Sequence, residues 1–269
     1  MKSRTFYYFD EQKDDFANNH IDGRAIGGSY RYLPQNLLYR LLKPIVYYTV
    51  HFLCVILLRF LMLVPLKNTQ VLRDRQDPSK GYFIYSNHTS RLMDAISAPV
   101  TAFPQQCYTI TSPDAVSIPG IRLLVRMLGA LPVPTSLGAY RAFNAAIDEL
   151  YESGNVIAIF PEAHIWPKYN GIRDFSAVSF QYPVRLQAPC FVKTTVYRKF
   201  CGGRTYPELV YDGPFYPDPT LTPAQAREDL RRRVYEQMKS RVEEYGSAAD
   251  KRYHYVHTDS AEEVRTEEE

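Results

Sequence analysis

The chain has 269 residues, enough to bury the core of one large α/β domain with small appendages. Its 32 Lys and Arg stand against 29 Asp and Glu, and a net charge of +3 is too small to argue for nucleic acid, although the sign suits an anionic membrane. Cys54, Cys107, Cys190 and Cys201 form no C-x-x-C pair and read as free thiols suited to a reducing compartment.

Residues 1–33 mix charges, glycine and aromatics without a period and are expected to form an irregular arm. The opening KSRTFYYFDEQKDDF has neither the apolar core nor the cleavage site of a secretory signal. Residues 34–68 are expected to be a membrane-associated helical anchor. Within them Pro44 to Leu66 (PIVYYTVHFLCVILLRFLMLVPL) is nearly long enough to cross a hydrocarbon core of about 30 Å at about 1.5 Å per residue. At about 100° per residue, Tyr47, Tyr48, His51 and Arg59 fall within roughly a third of the helix circumference, with Arg40 and Lys43 just upstream. An Arg in the middle of a span costs about 2.5–3.5 kcal/mol. The segment therefore reads as an interfacial, non-spanning helix, with a span and a soluble core helix as alternatives.

Residues 69–246 alternate short β-rich runs with helical ones. Strands are predicted at Tyr82–Ser86, Gln106–Thr111, Asn155–Phe160, Pro189–Tyr197 and Glu208–Tyr211, and helices at Leu92–Phe103, Pro119–Leu128, Tyr140–Glu152 and Pro223–Tyr245. Such alternation implies an α/β domain, a mostly parallel sheet covered by helices, joined to the N-terminal membrane-associated element. The helix Pro223–Tyr245 carries Arg227, Arg231, Arg232, Arg233, Lys239 and Arg241, either a solvated face or a patch for anionic lipid or an acidic acyl carrier. Residues 247–269 end in Glu262, Glu263 and Glu267 to Glu269 without apolar periodicity and are expected to be a disordered acidic tail.

Two segments carry chemistry. After the first strand the sequence reads SNHTSRLMDAI, which puts His88 at a strand's C-terminal end, where ligands bind in open α/β sheets, ahead of a helix containing Asp94. A histidine is the usual base for a hydroxyl, and a carboxylate on its other nitrogen fixes the tautomer and stabilises the imidazolium. Six positions along a regular helix point to different faces, so His88 must lie in a loop that folds back on Asp94. The plainer alternative is a turn-capping His and a solvated Asp. In NVIAIFPEAHIWP a buried strand stops at Pro161 and leaves Glu162 and His164 at the same sheet edge, either at the ligand or merely capping a turn. These four residues have no H-E-x-x-H-like spacing, so a metallohydrolase is a weaker reading and no metal is assigned.

Over roughly residues 70–200 these motifs resemble the lysophosphatidic acid acyltransferase superfamily of glycerolipid acyltransferases. Its N-H-x-x-x-x-D motif is matched by Asn87, His88 and Asp94, and its F-P-E-G-T-R motif by Phe160, Pro161 and Glu162. Its second and fourth motifs are echoed by Gly129 to Pro134 and by Ala188 to Val192. There are departures. One extra residue separates His88 from Asp94, Ala163 replaces the Gly after Glu162, Ile165 stands where an Arg is expected, and the second motif lacks its closing cation. Arg173, Lys168 and Arg141 are the substitutes for a phosphate-binding role, ranked in that order.

The resemblance implies a membrane-surface enzyme of the cytoplasmic face, peripheral or monotopic, with His88 and Asp94 catalytic. Asn87, Glu162, His164, Lys168, Arg173 and Arg141 are then expected near the substrates. The donor would be acyl-CoA or acyl-acyl-carrier protein, the acceptor a lysophospholipid such as 1-acylglycerol 3-phosphate, and no cofactor is implied. Other acceptors (glycerol 3-phosphate, another lysolipid, an amino-lipid) and a catalytically silent lipid-binding protein remain open. Backbone N–H groups near the His88 loop or the Phe160–Glu162 turn are the expected oxyanion donors.

Overall fold

The computed structural model describes residues 3–16 and 23–268. Its main sheet is built from β2 (Leu66–Lys67), β3 (Tyr82–Ser86), β4 (Cys107–Thr111), β5 (Ala130–Pro132), β6 (Val156–Ile159), β7 (Cys190–Lys199) and β8 (Thr205–Phe215). The order is β2-β8-β7-β3-β6-β4-β5, parallel throughout except for the β7–β8 pair. The mostly parallel α/β sheet expected from the sequence is thus present, with β2 and β5 added at its edges.

The central strands β3 (YFIYS) and β6 (VIAI) are buried along their whole length, as parallel strands covered on both faces must be. Alternate residues serve opposite layers. Phe83, Tyr85, Ile157 and Ile159 pack under α4 (Leu137–Glu152), α5 (Gln181–Leu186) and α6 (Pro223–Glu244). Tyr82, Ile84, Val156 and Ala158 pack under α2 (Arg91–Ala102) and Leu58. A further helix, α3 (Arg122–Met127), precedes β5. The turn between them needs Gly129, whose φ is +98° and whose added Cβ would meet the Cys107 carbonyl oxygen at 2.5 Å.

Helix α1 (Leu37–Val55) begins ahead of the expected Pro44, at an Asn36 cap whose side chain accepts the Tyr39 N–H at 2.7 Å, and Pro44 lies inside it. A π-helical turn, Ile56–Leu61, continues it, and the 25 residues Leu37–Leu61 are long and apolar enough to cross a membrane. Arg59 of its polar stripe is exposed, but the three aromatic members contact the protein. The Tyr47 hydroxyl accepts the Cys107 N–H at 2.8 Å, Tyr48 donates to the Pro104 carbonyl at 2.9 Å, and His51 stacks on Phe103. The opposite side, with Leu41, Ile45, Phe52 and Leu53, is exposed.

The chain ends correct two expectations, the irregular arm over 1–33 and the disordered tail over 247–269. Strand β1 (Arg4–Tyr8) pairs parallel with β9 (Tyr253–His257) and antiparallel with β10 (Arg265–Glu268) in a second sheet. Residues 1–2, 17–22 and Glu269 of those segments lie outside the described residues. Aromatic burial explains the order: Phe6, Phe16 and Trp166 form a small core, with Tyr255 stacked on Trp166 at 5.0 Å. The terminal sheet therefore packs on the segment that follows Glu162.

The basic face of α6 is largely paired within the molecule. Arg231 meets Asp174, Arg232 meets Asp229 and Glu236, Arg233 meets Asp229, and Arg241 meets Asp212 and Glu244. Ala226, Leu230, Val234 and Met238 form its buried stripe.

Candidate active site

His88 and Glu162 follow the neighbouring parallel strands β3 and β6, so their loops meet at the C-terminal edge of the sheet. Ser90 caps α2, which sets Asp94 in the first turn of that helix. The chain folds back as the spacing required: Asp94 Oδ2 lies 2.8 Å from His88 Nδ1 and accepts the N–H groups of Thr89 and Ser90 at 3.0 and 2.9 Å. Asp94 is 2 % exposed and sits at the N-terminus of α2 against those N–H groups. With Nδ1 held, His88 Nε2 has no hydrogen-bond partner among the described residues and is left to take a proton.

The loop is braced from three sides. The Trp166 and Lys168 N–H groups donate to the His88 and Thr89 carbonyls at 3.1 and 3.0 Å. Tyr197 donates to Thr89 Oγ1 at 2.9 Å, and the Phe160 ring stacks on the imidazole at 4.4 Å. The N–H groups of His88, Thr89 and Ser90 are all engaged, so they are not the oxyanion donors expected of this loop.

Three of the residues expected at the substrate are instead internal struts. Asn87 is fully buried, donating to the Thr195 carbonyl at 3.0 Å and accepting the Thr195 N–H at 2.8 Å. Glu162 accepts the His88 N–H at 3.1 Å and the Arg173 N–H at 3.1 Å, and pairs with the Arg173 guanidinium at 2.9 Å. Burial pushes the Glu162 carboxyl up, and the Arg173 charge pulls against it. Arg173, the first choice for gripping a phosphate, is 1 % exposed, donates to the Glu11 carbonyl at 3.1 Å and to the His164 carbonyl, and lies over the Trp166 ring. A guanidinium closed off in this way cannot hold a substrate headgroup.

The other three lie further out. His164 is half-buried, its ring 3.9 Å from Asp15. Lys168 donates to the Thr205 carbonyl at 3.1 Å and lies over the Tyr197 ring, and burial draws its ammonium down. Arg141 is exposed on α4. No group of three or more His, Cys, Asp or Glu side chains able to hold a metal ion occurs among the described residues.

The sequence reading passed over Lys193 of β7, whose Nζ is 3.7 Å from Asp94 Oδ1 and 2.6 Å from Ser97 Oγ. The available signal was a lysine inside an apolar strand, CFVKTTVY.

The His88–Asp94 contact thus lies at the C-terminal edge of a helix-covered parallel sheet. Residues 66–195 match the family model described as Acyltransferase. Among solved structures the fold is similar to "1-acyl-sn-glycerophosphate (LPA) acyltransferase, PlsC, from Thermotoga maritima", with a TM-score of 0.51 and 19 % identity over 82 % of this chain and 87 % of that one. No curated protein matches the sequence.

Proposed function

We propose that this acyltransferase moves a fatty acyl group from acyl-CoA or acyl-acyl-carrier protein to the free hydroxyl of a lysophospholipid, with 1-acylglycerol 3-phosphate as acceptor and phosphatidic acid as product. The observation that carries this reading is the 2.8 Å contact between His88 Nδ1 and Asp94 Oδ2 inside an acyltransferase domain. His88 Nε2 takes the proton as the acceptor oxygen attacks the thioester carbonyl. The tetrahedral intermediate then expels the thiolate, which recovers that proton from the imidazolium, so no acyl-enzyme is needed. Asp94 holds the tautomer and stabilises the imidazolium in passing.

The similar structure is that of a 1-acyl-sn-glycerophosphate (LPA) acyltransferase, which favours that acceptor here. With Arg173 closed off, Lys168 and then Arg141 are the remaining candidates for the phosphate; the Lys168 ammonium would have to leave the Thr205 carbonyl to reach it. The exposed apolar face of α1 supports work at a membrane, where the lipid substrates need not be drawn into water; we set the enzyme on the cytoplasmic side, peripheral or monotopic.

The test is to incubate detergent-solubilised protein with palmitoyl-CoA or palmitoyl-acyl-carrier protein and a panel of lysolipids, glycerol 3-phosphate and amino-lipids, and to identify products by mass. Phosphatidic acid from lysophosphatidate as the dominant product supports the reading. Preference for another acceptor replaces it within the class, and no thioester turnover favours a silent lipid-binding protein.

A further inference from the structure

Lys193 has no exposed side-chain surface, in a strand whose neighbouring residues are also buried. An ammonium taken out of water is costly to hold unless a counter-charge stands beside it. The only carboxylate paired with it among the described residues is Asp94, approached at Oδ1. That oxygen has no hydrogen bond, whereas its twin Oδ2 meets His88 Nδ1 and accepts the Thr89 and Ser90 N–H groups. The Lys193 Nζ is aimed by Ser97, one turn beyond Asp94 on α2, and lies 5.3 Å over the Phe160 ring that stacks on His88.

We infer that Lys193 is a positioning residue of the His88–Asp94 pair. Its ammonium balances Asp94 from behind and holds the carboxylate oriented on His88 Nδ1, and its positive charge opposes a second positive charge on the imidazole. This inference rests on the dyad reading above.

The other titratable groups around Lys193 leave the interaction to Asp94 and His88. Its partner across β8 is Tyr211, and burial pushes that phenol up. Burial also pushes the Cys107 thiol of β4 up to about 12 and raises Tyr197 on β7, so all three are neutral at working pH. Burial draws the Lys193 ammonium down, and Asp94 pulls it back. A residue that merely filled space here would not need a charge.

The test compares the pH dependence of kcat/KM, with palmitoyl-CoA and lysophosphatidate, in the full-length protein and in Lys193→Met, Lys193→Gln and Lys193→Arg. The acid limb reports the free enzyme's base. Loss of a neighbouring cation is expected to move it up by about one pH unit in both neutral variants. Lys193→Arg should keep the parental limb, and KM for both substrates should stay within about twofold. Should Lys193→Met fail to fold, Lys193→Gln, which can keep the Ser97 hydrogen bond, carries the comparison. A neutral variant with the parental acid limb overturns the inference. His88→Ala separates the two readings: if it retains transfer, the dyad itself has failed, whereas an inactive His88→Ala beside an unmoved Lys193→Gln limb removes only the role of Lys193.

Discussion

The Arg173 guanidinium stands 2.9 Å from the Glu162 carboxylate, and neither side chain has access to water. The pair ties the segment after β6 to the catalytic loop, because the same carboxylate oxygen accepts the His88 N–H. Removing one partner strands the other charge, at a cost of about 3–5 kcal/mol. Arg173→Ala should therefore lower Tm and activity toward every acceptor rather than raise KM for a phosphate-bearing one. Denaturant melts with kinetics on two acceptors check this, and the double variant Glu162→Gln/Arg173→Met should recover part of the loss.

The dyad sets the second expectation. His88→Ala should lose about 10²–10⁴-fold in transfer while keeping its melting temperature. Asp94→Asn should lose activity as well, because Oδ2 would no longer hold the productive tautomer. Thioester release and product mass measure both; near-parental turnover by His88→Ala would exclude the mechanism.

Ala163, directly after Glu162, has a φ of +63°. A Cβ in that conformation costs about 1–2 kcal/mol. Ala163→Gly should raise stability by about 1 kcal/mol, offset in part by the freer unfolded chain, and Ala163→Val should lower it. Thermal melts give the sign directly.

The exposed face of α1 offers a test of membrane binding that leaves the fold in place. Burying one large apolar side chain contributes about 1.5–3 kcal/mol. Replacing Leu41, Ile45 and Phe52 together by Asn should weaken vesicle binding by a hundredfold or more on the order of that area term, with the melt unchanged. Deleting residues 1–66 is the poorer experiment, since it also removes β1 and Phe16 from the terminal sheet and its core.

Asp250 gives a pH dependence with a definite sign. Burial pushes its carboxyl up, but hydrogen bonds from Arg252 and the Thr205 N–H outweigh that, and the group is held well below the usual range. A carboxyl depressed in the fold stabilises it above the unfolded value of about 4 and loses that contribution as pH falls toward the folded value. The C-terminal sheet should therefore become easier to open below about pH 4. Asp250→Asn should flatten that dependence in hydrogen exchange or limited proteolysis of residues 250–268.

The strand–helix alternation, the loop placement of His88 and the carboxylate at the end of β6 were legible in the sequence, because each is written in a local period or a local break. Hydrophobic runs of four or five residues bounded by polar turns sufficed for β3, β4 and β6, and the six-residue spacing alone forced the chain to fold back on Asp94. The short edge strands β2 and β5 were missed because two or three residues carry no period.

What the sequence determined by itself is therefore the sheet, the return of the His88 loop onto Asp94 and the apolar helix: local pattern selects elements, and elements of this kind must cover one another. The tertiary structure alone decided which charges leave water together. Arg173 could be a headgroup clamp or a strut, and only the approach of Glu162, Trp166 and the Glu11 carbonyl made it a strut. Lys193 acquires meaning only beside Asp94, and an acidic tail becomes a strand only because β1 lies beside it, the two ends meeting across 250 residues at Tyr8 and Thr258. Charge has no periodicity to betray its partner. Its energy depends on the distance and solvent exclusion that folding creates, so these pairings could be read only once the chain was closed.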